Sequence, residues 1–462
     1  MIFSTVEFLV FFVGFVLAGL VVCRLLLPFW CEKAFLLLAS YLFYGMWDWR
    51  FCALIAVSTL IDYVLGQAIA AEGNLARRRW LLTLSIVANL SVLGFFKYFN
   101  FFVDQLLAVL PFATADEVLR VILPVGISFY TFQTMSYSID VFHRRIPAER
   151  LLLNFALFVA FFPQLVAGPI VRASLFLPQL QTAPRVSIRA MHSALIVFSL
   201  GLFKKVMVAD RLAEFVDITF DNPGLFDAAT TWLSVLAFGV QIYADFSGYS
   251  DMAYGVALVM GYRLVRNFRL PYLAIDPSDF WRRWHVSLSS WLRDYLYIPL
   301  GGSRQGRLAT TRNVIITMTL GGLWHGAAWR FVAWGLLHGA LIVCGHQLGR
   351  LRLWPRRVGG WAVTVGAVFL IWVFFRATTF EGAVAIYGQL FVPGPGIAWP
   401  APYPILIIAG LAAHHAVLAS RWRRHAFVTR RNPLTPFILP FCWLLPMFFH
   451  PRAFQPFIYF QF

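Results

Sequence analysis

Polar positions along this chain are sparse and come in short bursts. Between them lie apolar runs at 8–29, 33–48, 51–70, 80–98, 151–171, 190–208, 229–245, 313–329, 330–348, 358–375, 403–420 and 435–450. A helix needs roughly 20 mainly apolar residues to cross a bilayer, and most of these runs approach that length. The pattern predicts an all-α polytopic membrane protein of about eleven spans. Two stretches interrupt it. VILPVGISFYTFQTMSYSIDVF at 121–142 carries Pro124, Gly126, several hydroxyls and Asp140, and FFPQLVAGPIV at 161–171 carries Pro163, Gly168 and Pro169. Both read as broken or re-entrant helices, because irregular backbone at membrane depth is tolerated only under a cover of protein or beside a water-filled cavity.

A third stretch, PSDFWRRWHVSLSSWLRDYLYIPL at 277–300, has a different pattern. Trp281, Trp284, Leu288, Trp291, Leu292 and Tyr295 recur at helical spacing. Ser278 or Asp279 can cap the start. The segment is too charged to span, and it suits one amphipathic helix lying at the interface or folded into a polar cavity. No period of 20–50 residues recurs, which argues against a solenoid. No two halves match, which argues against a transporter built from inverted repeats. Residues 1–462 therefore read as one membrane domain with no soluble catalytic module.

Composition agrees. The chain is 60% hydrophobic and 13% charged, where soluble proteins carry about 25% charged residues. The net charge of +17 would suggest nucleic acid in a soluble chain. Here the basic residues sit in clusters beside apolar runs: Arg77 to Arg79, Arg144 and Arg145, Lys204 and Lys205, Arg263 with Arg266 and Arg269, and Arg421 with Arg423 and Arg424. Such clusters read as topology signals and lipid-headgroup contacts, so the expected partner is the lipid bilayer and not nucleic acid. Almost every loop is basic, so charge bias does not give the orientation. The five cysteines are scattered without CxxC spacing, and neither a disulfide framework nor a metal site is expected. Glu7 stands where a signal peptide would have a basic region, so the first apolar run is expected to remain as a span.

Within this apolar frame, an ionisable side chain is costly and is a functional candidate by default. His325, in TLGGLWHGAAW at 319–329, is the foremost case. A neutral imidazole accepts a proton from a hydroxyl, and its conjugate acid returns one to a leaving group. Gly321, Gly322 and Gly326 surround it. Each helix-interior glycine costs roughly 1 kcal/mol against alanine, which makes sense if another backbone or an extended substrate comes very close. The competing reading is a buried histidine that only ties helices together. His285 is the second candidate, or else a histidine at headgroup level. His338 and His346 lie eight residues apart and read as core or interface groups. His414, His415 and His425 read as solvated, and His143 and His450 as segment ends. In YADFSGYSDMAYG at 243–255, Asp245 and Asp251 sit with Tyr249 in an apolar stretch. They form either an ion pair with an arginine of 263–293 or a polar wall that orients a histidine. No Walker loop, GxSxG elbow or HExxH is present.

Several of these stretches together resemble the membrane-bound O-acyltransferases, and within them the branch of the alginate O-acetyltransferase membrane subunit. They are MIFSTVEFLVFF at the start, LPVGISFYTFQTMSYSIDV at 123–141, FFPQLVAGPI at 161–170, YADFSGYSDMAYG, FWRRWHVSLSSWLRDYLYIPLGG at 280–302, GGLWHGAAWRFVAWGLLHG at 321–339 and PFIYFQF at the end. The resemblance implies a ring of helices around a central tunnel, with a catalytic core at about 120–350. It implies His325 and His285 as catalytic residues. It implies that Trp324, Trp284, Asp245, Tyr249, Asp251, Arg282, Arg283 and Asp294 line the tunnel or orient the reactants. It further implies acetyl-CoA as acyl donor with no bound cofactor, a location in the bacterial cytoplasmic membrane, and a periplasmic acetyltransferase or polysaccharide-export partner. Alternatives are a teichoic-acid D-alanyl transferase of the same family, a proton-coupled transporter with His325, Asp245 and Asp251 as a relay, and a scaffold of an export machine.

Overall fold

The structure is a computed structural model, and it describes residues 3–109, 120–166, 168–355, 357–392, 394–419, 435–448 and 457–458. Arg421, Arg423, Arg424, His425, His450 and most of the PFIYFQF ending lie outside the described residues. Every described element is helical, apart from an isolated bridge between Phe226 and Ile397. The chain forms two compact units. One comprises Met1–Ala194 with Ala253–Val265, and the other Leu195–Met252 with Arg266–Phe462.

The first unit holds α1 (Val6–Leu26), α2 (Phe29–Asp48), α3 (Arg50–Ala71), α4 (Leu75–Val109), α5 (Ile127–Phe142) and α6 (Leu152–Ala160). Thr5 caps α1 by accepting from the Phe8 N–H, and Pro28 separates α1 from α2. The stretch at 121–142 is not a helix broken in its middle. Gly126 turns the chain at φ 79°, and one nearly fully buried helix, α5, follows without interruption. A Cβ at Gly126 would also meet the Leu165 carbonyl at 2.3 Å, so glycine is required twice over. The run at 151–171 does divide: α6 ends at Ala160 and only a short turn, Phe162–Leu165, follows. Asp62 of α3 is buried among neutral donors. Asn89 of α4 reaches both carboxylate oxygens at 2.9 and 2.8 Å, and the Ser85 hydroxyl donates at 2.7 Å. A carboxylate survives in such packing only because its lone pairs are met.

Two of the three unit boundaries fall inside long helices, α7 (Ile188–Asp221) and α8 (Ala228–Val259), and the third follows Val265. The second unit continues with α9 (Pro277–Arg283), α10 (Val286–Leu292), α11 (Gly306–His325), α12 (Trp329–Arg350), α13 (Val358–Arg376), α14 (Phe380–Phe391), α15 (Pro402–Ala419) and α16 (Thr435–Phe448). Among the described residues six helices are long and apolar enough to cross a membrane: α1, α3, α4, α7, α12 and α13. Large apolar side chains such as Val64, Val87, Leu336 and Val363 are exposed on them. The chain is thus a multi-pass membrane protein whose spans turn apolar surface outward to lipid.

Helices α11 and α12 form a tight antiparallel hairpin around two glycines. A Cβ on Gly322 would lie 2.2 Å from the Phe331 carbonyl, and one on Gly335 would lie 2.4 Å from the Met318 carbonyl. Backbone meets backbone there, so no side chain can yield. Gly335→Val is expected to cost about 1–3 kcal/mol of stability, the usual range for overpacking. Gly349→Ala, where a Cβ meets nothing within 4 Å, is the control. Thermal unfolding of the detergent-solubilised proteins measures both. Equal melting temperatures would remove the close-packing role.

Candidate active site

The site is built where α11 ends. The apolar run 313–329 is not one continuous helix: α11 stops at His325, Gly326 to Ala328 are extended or turning, and α12 starts at Trp329. His325 is therefore the last residue of its helix, which frees its ring from the crowding of a following turn. Gly326 must be small, since a Cβ would overlap the Phe331 ring. The imidazole of His325 is 5% exposed. Three aromatic rings stand edge-on around it: Trp324 at 5.0 Å, Trp334 at 5.0 Å and Phe375 at 5.3 Å.

The segment 277–300 also differs from a single amphipathic helix. It breaks at Trp284 and His285 into α9 and α10, because His285 adopts φ 41°, in the left-handed region. That conformation is strained for a residue with a Cβ and persists only when neighbours enforce it. Asn267 does so. Its carbonyl accepts the Val286 N–H at 2.9 Å, its side-chain oxygen accepts the Ser287 N–H at 3.4 Å, and its amide donates to Ser250 of α8 at 3.2 Å. The N-cap of α9 is Asp276, which accepts from the Asp279 N–H at 2.7 Å, one turn before the predicted caps Ser278 and Asp279. One face of the segment packs into the protein, with Phe280, Trp284, His285, Leu288 and Trp291 all buried.

His285 is fully buried. Its ring meets Phe246 of α8 edge-on at 4.6 Å and Trp324 at 6.1 Å, and its Nδ1 lies 3.5 Å from the Ser287 hydroxyl. Trp324 therefore neighbours both imidazoles. Trp284 is one layer further back. It packs on Trp372 at 5.0 Å, and Trp372 packs on Trp334 and Phe375, which touch His325.

The remaining sequence candidates have other neighbours. Asp245 is in a buried ion pair, but not with an arginine of 263–293. Lys205 of α7 lies 2.8 Å from Asp245 and 2.7 Å from Asp210. The second oxygen of Asp245 accepts the Ile458 N–H at 2.7 Å. Asp251 pairs with Lys204 at 2.5 Å. The two lysines read as a topology signal are thus partners of the α8 carboxylates. Tyr249 is buried against Phe457 at 4.7 Å. Arg282 and Arg283 pair with Asp279 at 3.7 and 2.9 Å, and Asp294 pairs with Arg293 at 2.7 Å, so these charges are engaged locally. His414 is exposed as expected, but His415 is buried against Tyr243 at 5.4 Å rather than solvated.

Trp334, Phe375, Phe246, Asn267 and Lys205 were not legible as parts of this region. Trp334 carries one signal, its place in the WGLLHG stretch. Phe246 likewise lies in the YADFSGYSDMAYG stretch, whereas Phe375 carries no signal, being one of 47 phenylalanines.

Two buried imidazoles held at helix ends beside a shared indole suit acid–base work on a substrate that reaches between apolar walls. Comparison with known proteins bears on that chemistry. The family model for the membrane-bound O-acyltransferases matches residues 121–380. A protein of Pseudomonas putida named "Probable alginate O-acetylase AlgI" is 45% identical over 364 residues, 77% of this chain and 74% of the relative. A peptidoglycan O-acetyltransferase of Helicobacter pylori is 38% identical over 385 residues, 77% of this chain and 72% of the relative. A teichoic acid D-alanyltransferase of Streptococcus thermophilus is 30% identical over 233 residues, 47% of this chain and 56% of the relative. With its buried histidines and its multi-pass helices, the chain belongs to the membrane-bound O-acyltransferase family and is an O-acyltransferase.

Proposed function

We propose that this protein acts in the bacterial cytoplasmic membrane and passes an acetyl group from a cytosolic thioester, acetyl-CoA, towards hydroxyls of an extracytoplasmic polysaccharide. The polymer is an alginate-like exopolysaccharide, cellulose or peptidoglycan, reached through a periplasmic partner protein. The core of the reaction lies within residues 120–350. The observation that carries the reading is the pair His325 and His285, both buried and both beside Trp324, in a chain 45% identical to an alginate O-acetylase.

In this reading His325 is the general base. As the acceptor oxygen attacks the thioester carbonyl, its proton passes to the imidazole. The tetrahedral intermediate then expels the thiolate, which takes the proton back. His285 polarises or positions the reactants beside Trp324. Trp284, Asp245, Tyr249, Asp251, Arg282, Arg283 and Asp294 act at longer range, by holding α8, α9 and α10 in place. Teichoic-acid D-alanylation is the second reading, supported by the Streptococcus relative over 47% of the chain.

Deleting the gene is expected to remove acetyl ester from one polysaccharide, read by proton NMR of secreted and wall polymers. Complementation with the intact gene restores it. If every polymer keeps its acetyl ester while wall D-alanine is lost, the second reading replaces the first.

A further inference from the structure

Three helix ends come together around His325. α11 stops at His325, α12 begins at Trp329, and α13, which carries the Phe375 wall, stops at Arg376. Arg330 ties the last two. It is the second residue of α12, and its Nη1 donates to the Phe375 carbonyl at 2.8 Å. Phe375 is the last but one residue of α13, so this carbonyl is among the four that a helix end leaves without an intrahelical N–H. The guanidinium also lies 4.3 Å from the centre of the Phe331 ring, and Phe331 stands edge-on to Phe375 at 5.2 Å. One side chain therefore holds the backbone of Phe375 directly and its ring through Phe331.

Electrostatics make this placement informative. A cation in the first turn of α12 sits at the unfavourable end of that helix's own dipole, whereas the C-terminus of α13 favours it. Arg330 is poorly placed for its own helix and well placed for its neighbour. A second tie holds the same end of α13. Arg376 reaches Asp217 at 2.6 Å and Asp221 at 3.4 Å, both on α7. What these ties steady is a fully buried ring 5.3 Å from the imidazole of His325. No helical turn follows His325, so the rings beside it set how its imidazole lies. A general base works only when it is aimed at the proton it removes.

We propose that Arg330 is a positioning residue for the base: by capping α13 it fixes Phe375, and Phe375 fixes the imidazole of His325. The inference rests on the reading of His325 as general base. It requires no contact between Arg330 and either substrate.

The test uses the full chain in lipid nanodiscs. Arg330→Met keeps the apolar stem and removes the donors, and Arg330→Lys keeps the charge and three donors. In Arg330→Met, amide hydrogen exchange across residues 370–377 should rise as the end of α13 frays. Its kcat should fall about 10–100-fold with the KM for the thioester unchanged, the scale of loss that a misplaced catalytic group brings. Arg330→Lys should recover most of the rate. On a His325→Ala background, Arg330→Met should cost no further rate, because the two residues act as one unit. Raised exchange with the kcat of the parent makes Arg330 a helix cap only and overturns the inference. A raised KM at unchanged kcat, or a further loss on the His325→Ala background, overturns it too. Phe375→Leu removes the ring and keeps the carbonyl, and it covers the case in which Arg330→Met does not fold: with the kcat of the parent, it overturns the inference by itself. The two readings fail separately. His325→Ala that turns over like the parent ends the reading of the base, whereas His325→Ala that is inactive beside a fully active Arg330→Met ends the inference alone.

Discussion

His325→Ala is expected to lower the rate of acetyl transfer by about 10²–10⁴-fold, the range that a positioned general base contributes. Little else should change. His325 ends its helix, and two of the rings around it, Trp334 and Phe375, also pack on each other at 5.4 Å, with Phe331 against Phe375 at 5.2 Å. His325→Gln is the sharper variant. It keeps length and hydrogen-bonding atoms but titrates at no accessible pH. In acetyl-CoA assays with reconstituted protein, both variants should keep the melting temperature within a few degrees and lose kcat together. A His325→Gln protein that turns over like the parent would mean that His325 only ties helices together and is not the base. Proton-driven transport lost alongside transfer would favour the relay reading. His285→Ala should fall by less, because its effect is through positioning, but it should destabilise more. His285 is a fully buried ring that occupies a strained turn.

His325 stands out in the sequence because the membrane makes an ionisable group in apolar surroundings expensive, whereas His285, in a charged amphipathic segment, is singled out by the family resemblance. Their walls were not legible. Phe375 comes to the site from α13, and nothing in its local pattern tells it from another phenylalanine; Phe246 of α8 lies in the YADFSGYSDMAYG stretch, but that stretch points to its carboxylates and not to its ring. The break at His285 was hidden for a related reason. The Trp and Leu spacing through 281–295 is truly helical on either side, and the left-handed turn exists because Asn267, eighteen positions upstream, holds the backbone there. The glycines around His325 read as room for a close approach, and at Gly322 the hairpin uses it so, backbone against backbone, with Gly335 of α12 as a partner that reading does not include. The lysines were the clear misreading. Lys204 and Lys205 look like any basic loop cluster, yet both lie within α7 and turn toward carboxylates of α8. A doublet of lysines inside the apolar run 190–208, followed by Asp210 just beyond it, was the signal available.

That buried triad gives the largest stability effect expected in this protein. Lys205 is 3% exposed in its side chain, with Asp245 at 4% and Asp210 at 9%. Lys205→Met preserves volume but leaves two carboxylates facing each other out of water. Breaking one partner from such a pair costs about 3–5 kcal/mol, far more than the pair itself contributes over an apolar replacement. Part of that loss returns if the orphans are neutralised too. Lys205→Met combined with Asp245→Asn and Asp210→Asn should therefore be more stable than Lys205→Met alone, a non-additivity measured by thermal unfolding of four proteins: the parent, Lys205→Met, the Asp210→Asn/Asp245→Asn double variant and the triple variant. The consequence reaches the chemistry, because Asp245 precedes Phe246, whose ring holds His285 at 4.6 Å. Lys205→Met should accordingly lose activity at temperatures where the protein is still folded, and the triple variant should recover stability before it recovers rate. Lys205→Met with an unchanged melting temperature would show that water reaches these charges, and the triad would then be a hydrated polar cluster and not a buried lock between α7 and α8.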